Sequence, residues 1–572
     1  MSWQDWIILI GTLTIIILYG LHKSNIRKNL DSYFLCDRSL PWWVILISIM
    51  GTQASAVTFL SAPGQAFTDG MRFVQYYFGL PIAMVVLCIS FVPAFHRLKI
   101  YTAYEFLEQR FDLKTRTLTS FLFLLQRGLS TGISISAPSI ILSSLLGWDI
   151  FWTNIFMGGL LIVYTVTGGA RAVASTQQIQ FIIIFIGMML AGYTVMHLLP
   201  GQIGFSEALH IGGKAGKLNV ITTGFTKKGF DWNDRYNLIS GTIGGFFLAL
   251  SYFGTDQSQV GRYLTASSEK ESKLGLLMNG IIKIPMQFLI LLIGVLVYVF
   301  YQFHPEPIFF NQTQIHILEK SKYADSLVLL RNQYQRNETE RIGAMNGISG
   351  SDKSSLNYQR ALEHLRITEQ NKDQQRGTIK RWLQDKEIGG DANDTNYIFL
   401  RFVVDYLPKG LIGLLIAVIF LAAWGSIGAA LNSLAAATIV DFHIRFTKKT
   451  LSSKKEYDLS RWYTLLWGIF CVIVAQLAYN IGNSLIEAVN VLGSLFYGVI
   501  LGIFLVAFYA KKIRGRSVFI SAIITELGVV LIHILSQRGL IHLSFLWLNA
   551  VGAAGVWVLS WLIQMIVPAK AK

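Results

Sequence analysis

The chain reads as an all-α polytopic membrane protein with about 13 transmembrane helices. Composition points there first: 53% of its 572 residues are hydrophobic and only 14% are charged, where a soluble chain carries roughly a quarter. Mean hydropathy is +0.48. Apolar runs of about 20 residues recur, long enough to cross ~30 Å of hydrocarbon. An outer-membrane barrel would instead show ~10-residue alternating strands. The formal charge of +16 would suggest nucleic acid in a soluble chain. Here the basic residues flank the apolar runs and read as topology, so lipid and not nucleic acid is the expected surrounding.

The spans fall at about 5–22, 42–66, 74–95, 118–146, 151–168, 177–198, 239–263, 276–303, 408–440, 462–479, 485–509, 517–535 and 544–566. The first lacks a basic start and a clear cleavage site, so it is read as a retained span. Alternating sides sort the loops. One set is basic: Lys23, Arg27, Lys28 and Arg38; Arg97, Lys99, Arg110, Lys114 and Arg116; Lys270 and Lys273; Arg445, Lys448, Lys449, Lys454, Lys455 and Arg461; Lys511, Lys512, Arg514 and Arg516. The opposite short loops hold little more than Arg72 and Arg538. The positive-inside rule puts the basic set in the cytoplasm, the N-terminus outside and the C-terminus inside. The 198–238 loop is an exception, with Lys214, Lys217, Lys227, Lys228 and Arg235 on the opposite side.

Cys36, Cys88 and Cys471 are too far apart for a disulfide framework or a metal motif. The polar stretch 304–405 is then external, and reads as a helical hairpin around the turn-rich GAMNGISGSDKS. Asn311, Asn337 and Asn393 stand in N-x-T patterns there.

Two spans are interrupted by polar and small residues, 42–66 by GTQASAVTFLSAPGQ and 239–263 by SYFGTDQSQ. Each opens a group of five spans, 42–198 and 239–509. An odd number inverts the second group relative to the first, and paired broken helices in inverted halves point to a mid-membrane binding site. The stretch Leu407–Asp441 begins as an ordinary apolar helix and turns small and hydroxylated at Gly425, Ser426, Gly428, Asn432, Ser433 and Thr438. Small residues permit close helix packing, and hydroxyls and free carbonyls can hold an ion.

Eight segments in order resemble the sodium/solute symporter family, most closely its iodide, multivitamin and monocarboxylate branch: SLPWWVILISIMGTQASAVTFLSAPGQAF, YTAYEFLEQRF, APSIILSSLLGWD, TGGARAVASTQQIQ, SYFGTDQSQVGRYLT, KIPMQFLILLIG, the 407–441 helix ending ALNSLAAATIVDF, and EAVNVLGSLFYGVILGIFL. The resemblance implies a LeuT-type five-plus-five inverted repeat. The chain then divides into an extra N-terminal helix and cytoplasmic loop (1–41), the first repeat (42–198), an external loop (199–238), the start of the second repeat (239–303), the external polar insert (304–405), the rest of the second repeat (406–510) and two additional C-terminal helices (511–572). It also implies secondary active transport, a sodium-coupled symport of a small organic solute such as a carboxylate or other anion. The setting is the plasma membrane, or the inner membrane of a bacterium. No enzymatic cofactor is implied; sodium is the coupling ion and the only metal, and protein partners are unassigned.

Carried over by position, the sodium ligands are the carbonyls of Gly51, Ala54 and Ala422 with the hydroxyl of Ser426. Two positions depart from the family pattern. Gly425 stands where a second hydroxyl is usual, and Gln177 follows Thr176 where an Asp is tied to cation coupling. Glutamine keeps an oxygen and loses the charge. The substrate candidates are Gln53, Ser55, Thr58, Gln75, Tyr76, Arg127, Asp256 and Gln257, of which Gln53, Ser55, Thr58, Gln75 and Tyr76 are equally readable as packing. Asp256 in the second broken helix can meet a solute amine or hydroxyl, carry a proton, pair with Arg262 or cap the broken backbone. Arg127 lies about nine residues into its span, roughly 13 Å deep. It suits a carboxylate, as in relatives that carry acidic sugars, or serves as a structural arginine reaching water or a helix end. Lys283 reads as a snorkelling residue or an inner-gate lock near the end of its span.

Other function classes have weaker hooks. Gly128–Gly132 matches G-x-S-x-G around Ser130, but inside a helix and not at a strand–turn–helix elbow. An intramembrane serine protease would need a facing His such as His197 or His533, and no catalytic residue is assigned. A transporter-like sensor would fit the altered cation positions, but the internal loops and tail are short. No P-loop or Rossmann pattern supports ATP-driven transport.

Overall fold

A computed structural model describes residues 1–23, 30–349, 356–447, 452–478 and 485–566. Arg27, Lys28, Lys448 and Lys449 of the basic loops lie outside these, as does the end of the turn-rich stretch in the insert. Among the described residues, eleven helical spans and one bent pair are long and apolar enough to cross a membrane.

The bent pair is the first broken span, α2 (Trp42–Gln53) and α3 (Ala56–Asp69), which meet at 61°. The second broken span is α6 (Gly245–Thr255) and α7 (Gln257–Tyr263), interrupted at Asp256. Around them run α1 (Trp3–Lys23), α4 (Leu113–Leu146), α5 (Ile150–His197), α8 (Glu269–Phe303), α12 (Leu411–Ala437), α13 (Ser453–Leu477), α14 (Leu485–Tyr509), α15 (Gly515–Gln537) and α16 (Phe545–Ile566). Helix α5 carries two apolar spans, Ile150–Thr167 and Val173–His197. The only sheet among the described residues is a two-stranded hairpin, β1 (Phe225–Thr226) with β2 (Gly229–Phe230).

The 407–441 stretch sits at the centre. Its span is 89% buried inside the protein, against 22% for the first span. Helix α12 packs on α1, α2, α3, α4, α5, α7 and α13. A helix apolar all round has no lipid side to prefer, and small residues let seven neighbours approach it. Beyond its end, Asp441 is fully buried and takes bonds from Arg116 Nη2 (2.6 Å), Arg116 Nε (2.9 Å), Thr102 (2.7 Å) and Ser120 (2.9 Å).

The insert forms α9 (Ala324–Ser349), α10 (Leu356–Leu383) and α11 (Thr395–Tyr406). Helix α9 continues through Gly343 and Gly347, two glycines of the stretch expected to turn. Its base is held by charge. Glu306 bonds to Lys372 (3.1 Å) and Arg376 (3.0 Å), and Arg376 continues to Asp394 (2.9 Å). Burial pushes the Glu306 carboxyl up, but Lys372, Arg376 and Arg341 outweigh it and hold it below the usual range. Helix α11 then lies on α3. Asn396 accepts a bond from Ser61, and a Cβ at Gly64 would collide with the Thr395 carbonyl. Asn311 and Asn337 are buried, Asn311 as a helix cap and Asn337 donating to the Thr368 carbonyl at 2.8 Å. The folded protein therefore does not offer these two N-x-T sites for glycosylation.

Candidate functional site

A cavity of about 150 Å³ lies between the two broken helices. The α2–α3 break contributes Thr52, Gln53, Ser55 and Thr58. Helix α4 contributes Gln126, Arg127 and Ser130, α6 Tyr252, α8 Lys283, α12 Ser426 and α14 Asn490 and Tyr497. Tyr76 closes one side and donates to Asn490 Oδ1 at 3.3 Å. Gln53 Oε1, Gln126 Oε1 and Thr131 Oγ1 in this wall have no hydrogen-bond partner among the described residues. Buried polar groups are normally paired, so unpaired ones around a cavity mark where solute or water completes the set.

Two basic side chains reach this cavity. Arg127 is 3.6 Å from Asp256 and lies over the Tyr252 ring at 5.9 Å. Asp256 does not line the cavity. Its Oδ1 accepts from the Ser258 amide (2.8 Å), capping α7, and its Oδ2 accepts from the Tyr497 hydroxyl (2.7 Å). The internal pair is thus with Arg127 and not Arg262. Lys283 is buried, lines the cavity and stands 5.6 Å from the Tyr77 ring, with no ion pair among the described residues.

Lys283 does not snorkel: its side chain is buried beside the cavity. Its helix does not begin near 276 but at Glu269, behind a Ser268 cap that accepts from the Glu271 amide. Ser268-x-x-Glu271 is a capping-box spacing. The charged first turns, Glu269 to Lys273, precede the apolar span, so Lys283 still stands near the inner end of that span.

The broken backbone frees carbonyls. Ser55 donates its amide to Gln53 O (2.8 Å) and Thr58 to Ser55 O (2.9 Å). Gly51 and Ala54 thereby lose the amide partners that a continuous helix would give their carbonyls. Ser426, on the same cavity wall, donates to Ala422 O at 2.9 Å. Gln177 fills the neighbouring gap between α2, α5 and α12. Its Oε1 accepts from Ser48 (2.8 Å), and its Nε2 donates to Thr52 Oγ1 (3.2 Å) and Gly425 O (3.1 Å). The amide nitrogen draws together oxygens of two helices, as a cation would.

Of the sequence candidates, Gln53, Ser55, Thr58, Tyr76 and Arg127 share the cavity. Gln75 is fully engaged elsewhere, with Nε2 on Tyr236 O (2.9 Å) and Oε1 on the Thr222 amide (3.1 Å). Gln257 is tied to the 101–103 loop through Tyr101 O (2.7 Å) and the Ala103 amide (3.0 Å). Gln126, Ser130, Tyr252, Asn490 and Tyr497 join the wall without having been singled out as binding residues, because nothing local marks which way a polar residue in an apolar helix faces.

The sodium:solute symporter family model matches residues 33–325 and 380–525. The chain belongs to this family. The match skips 326–379, most of the insert. The sodium/sialic acid symporter SiaT of Proteus mirabilis is 25% identical over 558 residues, covering 96% of this chain and 93% of that protein. Sodium-coupled monocarboxylate transporter 1 of Xenopus laevis is 24% identical over 512 residues, covering 88% and 68%. The human sodium/iodide cotransporter is 30% identical over 266 residues, 46% of this chain and 39% of that one. A solved outward-open Na+-coupled sialic acid symporter has the same fold, with TM-score 0.73 at 23% identity over 99% of this chain and 98% of that one. A sodium:solute symporter is a multi-pass transporter and not an enzyme. The Ser130 hydroxyl accordingly donates to Arg127 O in its own helix (3.3 Å), while His197 bonds Tyr193 O (3.0 Å) at a helix end.

Proposed function

We propose that the chain carries out sodium-coupled symport of a small organic anion by alternating access. The observation that carries this is Lys283, a buried lysine on the cavity wall with no carboxylate paired to it among the described residues, so that a bound anion would hold its amine in the charged form. Arg127 adds a guanidinium whose charge Asp256 offsets. A cavity lined by two basic side chains favours a carboxylate or other anion, to which the guanidinium can donate bidentately. Gln53, Ser55, Thr58 and Tyr76 supply polar edges for the rest of the solute. Sodium takes the carbonyls of Gly51, Ala54 and Ala422 and the Ser426 hydroxyl, once that hydroxyl turns from its own helix. Oxygen ligands at a helix break hold a cation without burying a full negative charge. Sodium there would tie α12 to the first broken helix and preorganise the cavity. The two inverted repeats are read as 42–198 and 239–510. The basic loops support a cytoplasmic C-terminus and an external insert in the plasma membrane, or the inner membrane of a bacterium.

The test is uptake into proteoliposomes under an imposed sodium gradient, comparing monocarboxylates and acidic sugars with neutral sugars. Accumulation of anions only is expected. Accumulation of neutral solutes alone would overturn the anion reading, and uptake indifferent to sodium the coupling.

Gln177 makes a separate prediction. The amide already bridges Thr52 and Gly425, so the paired change Gln177→Asp with Gly425→Ser should strengthen cation binding. A Cβ at 425 would lie 3.0 Å from Gln180 Oε1 and 3.4 Å from Gln177 Cγ, so the serine displaces these amides slightly. Half-maximal uptake is expected at sodium concentrations about tenfold lower, one charge-assisted contact's worth. An unchanged sodium requirement would show that neither position limits the site.

A further inference from the structure

The basic residues of the 198–238 loop stand on the side of the membrane that the topology leaves nearly bare, and the fold accounts for only part of them. Lys217 donates to Thr68 O at 2.6 Å and lies 5.0 Å from the Tyr298 ring. Arg235 is paired with Glu487. Lys227 and Lys228 have no such role. They form the two-residue turn of the β1–β2 hairpin and are exposed, with Phe225 pairing Phe230 and Thr226 pairing Gly229 behind them.

The hairpin is held against the end of a membrane span. Gln75 bonds Thr222 and Tyr236 at its base. The Ser544 amide donates to Trp232 O at 2.9 Å, one residue before α16 begins. A chain of rings runs from the hairpin to the span: Phe225 to Phe230 (5.4 Å), Phe230 to Trp232 (5.0 Å) and Trp232 to Trp547 (5.2 Å). Trp547 lies in the first turn of α16, where membrane interface and helix end coincide, and tryptophan is favoured at that level. Phe225 is 65% exposed, Trp232 52% and Leu540 70%. Exposed rings and paired lysines on one rim are the two halves of an interfacial anchor.

We propose that this hairpin is a lipid-binding element, its rings lying at the headgroup level and Lys227 and Lys228 binding the phosphates of anionic phospholipid around α16. Charge complementarity selects the partner: two exposed lysines with no ion pair among the described residues, beside the exposed Asp231, whose carboxylate accepts the Asn233 amide at 2.9 Å, and Asp234, which pairs with Arg72. Interfacial lysines favour anionic lipid through Coulomb attraction that falls off within a Debye length.

The native cysteines Cys36, Cys88 and Cys471 are buried, so a Thr226→Cys variant can be labelled selectively with an environment-sensitive fluorophore. The full-length protein is placed in nanodiscs of phosphatidylcholine alone, or with phosphatidylglycerol, carrying quencher-labelled lipid. Quenching by the headgroup-level label is expected to rise with phosphatidylglycerol and to fall in high salt. Each lysine replaced in K227Q and K228Q should weaken the preference for phosphatidylglycerol roughly fivefold. The salt arm reads the same effect with both lysines in place, independently of how K227Q and K228Q fold. A label that stays unquenched in both lipid mixtures would overturn the proposal, pointing to a protein partner or bare solvent. Quenching that ignores headgroup charge and salt would overturn the anionic-lipid assignment.

Discussion

Arg116→Met is expected to destabilise the folded protein by about 3–5 kcal/mol, the usual cost of removing one partner from a buried ion pair. The change strands Asp441, whose side chain has no solvent exposure, while Arg116 itself is 7% exposed. Thr102 and Ser120 remain as donors to Asp441, but hydroxyls do not neutralise a buried carboxylate. Glu108 retains Arg445, so the loss concentrates on Asp441. The double change Arg116→Met with Asp441→Leu should recover most of the deficit, because it removes the stranded charge as well. Thermal and denaturant unfolding in one detergent would measure both. A single-variant loss below about 1 kcal/mol would place the pair among surface-like bridges and sink the argument. More than stability is at stake. The 101–104 loop holds Asp441 through Thr102, Gln257 through Tyr101 and Ala103, and Thr255 O through the Tyr104 hydroxyl. One loop thus fastens the central helix and the second broken helix at the same end of the bundle.

Lys283→Met should lower transport efficiency for an anionic solute by roughly 10- to 150-fold, the range of ~1.5–3 kcal/mol for a hydrogen bond to a charged group. Methionine keeps the stem's volume and removes the ammonium, so packing against Tyr77 is largely preserved. Lys283→Arg retains charge and should keep part of the activity. The loss should fall on anions, with sodium dependence of the residual uptake unchanged, because Lys283 does not touch the proposed ion ligands. Initial rates over a solute concentration series separate the two. Equal kinetics in the wild type and Lys283→Met would show that the ammonium does not contact solute. Removing Arg127 would be less informative, since it also strands Asp256.

How far the sequence reached is clearest at particular residues. The broken helices were visible because glycine, serine and glutamine interrupt apolar runs, and an interruption is a local property. The breaks do occur at Ala54 and Asp256. The alternatives for Asp256 narrowed to capping and an internal pair, with Arg127 in place of Arg262. Gln75 and Gln257 looked like cavity residues because they are polar near a break; they instead tie loops to helices. Asn337 matched a glycosylation pattern that burial between α9 and α10 closes.

The sequence by itself determined the class, the spans, the two breaks and the family, because apolar length, interruption and motif order are read along the chain. Only the tertiary structure decided which side chains share a space. Helix rotation and the 61° bend set which way each residue faces, and neither is encoded in a run of neighbours. That is why Arg127 and Lys283, far apart in sequence, meet on one cavity wall. It is also why the gap at Gly425 is met by the amide of Gln177, brought across from another helix.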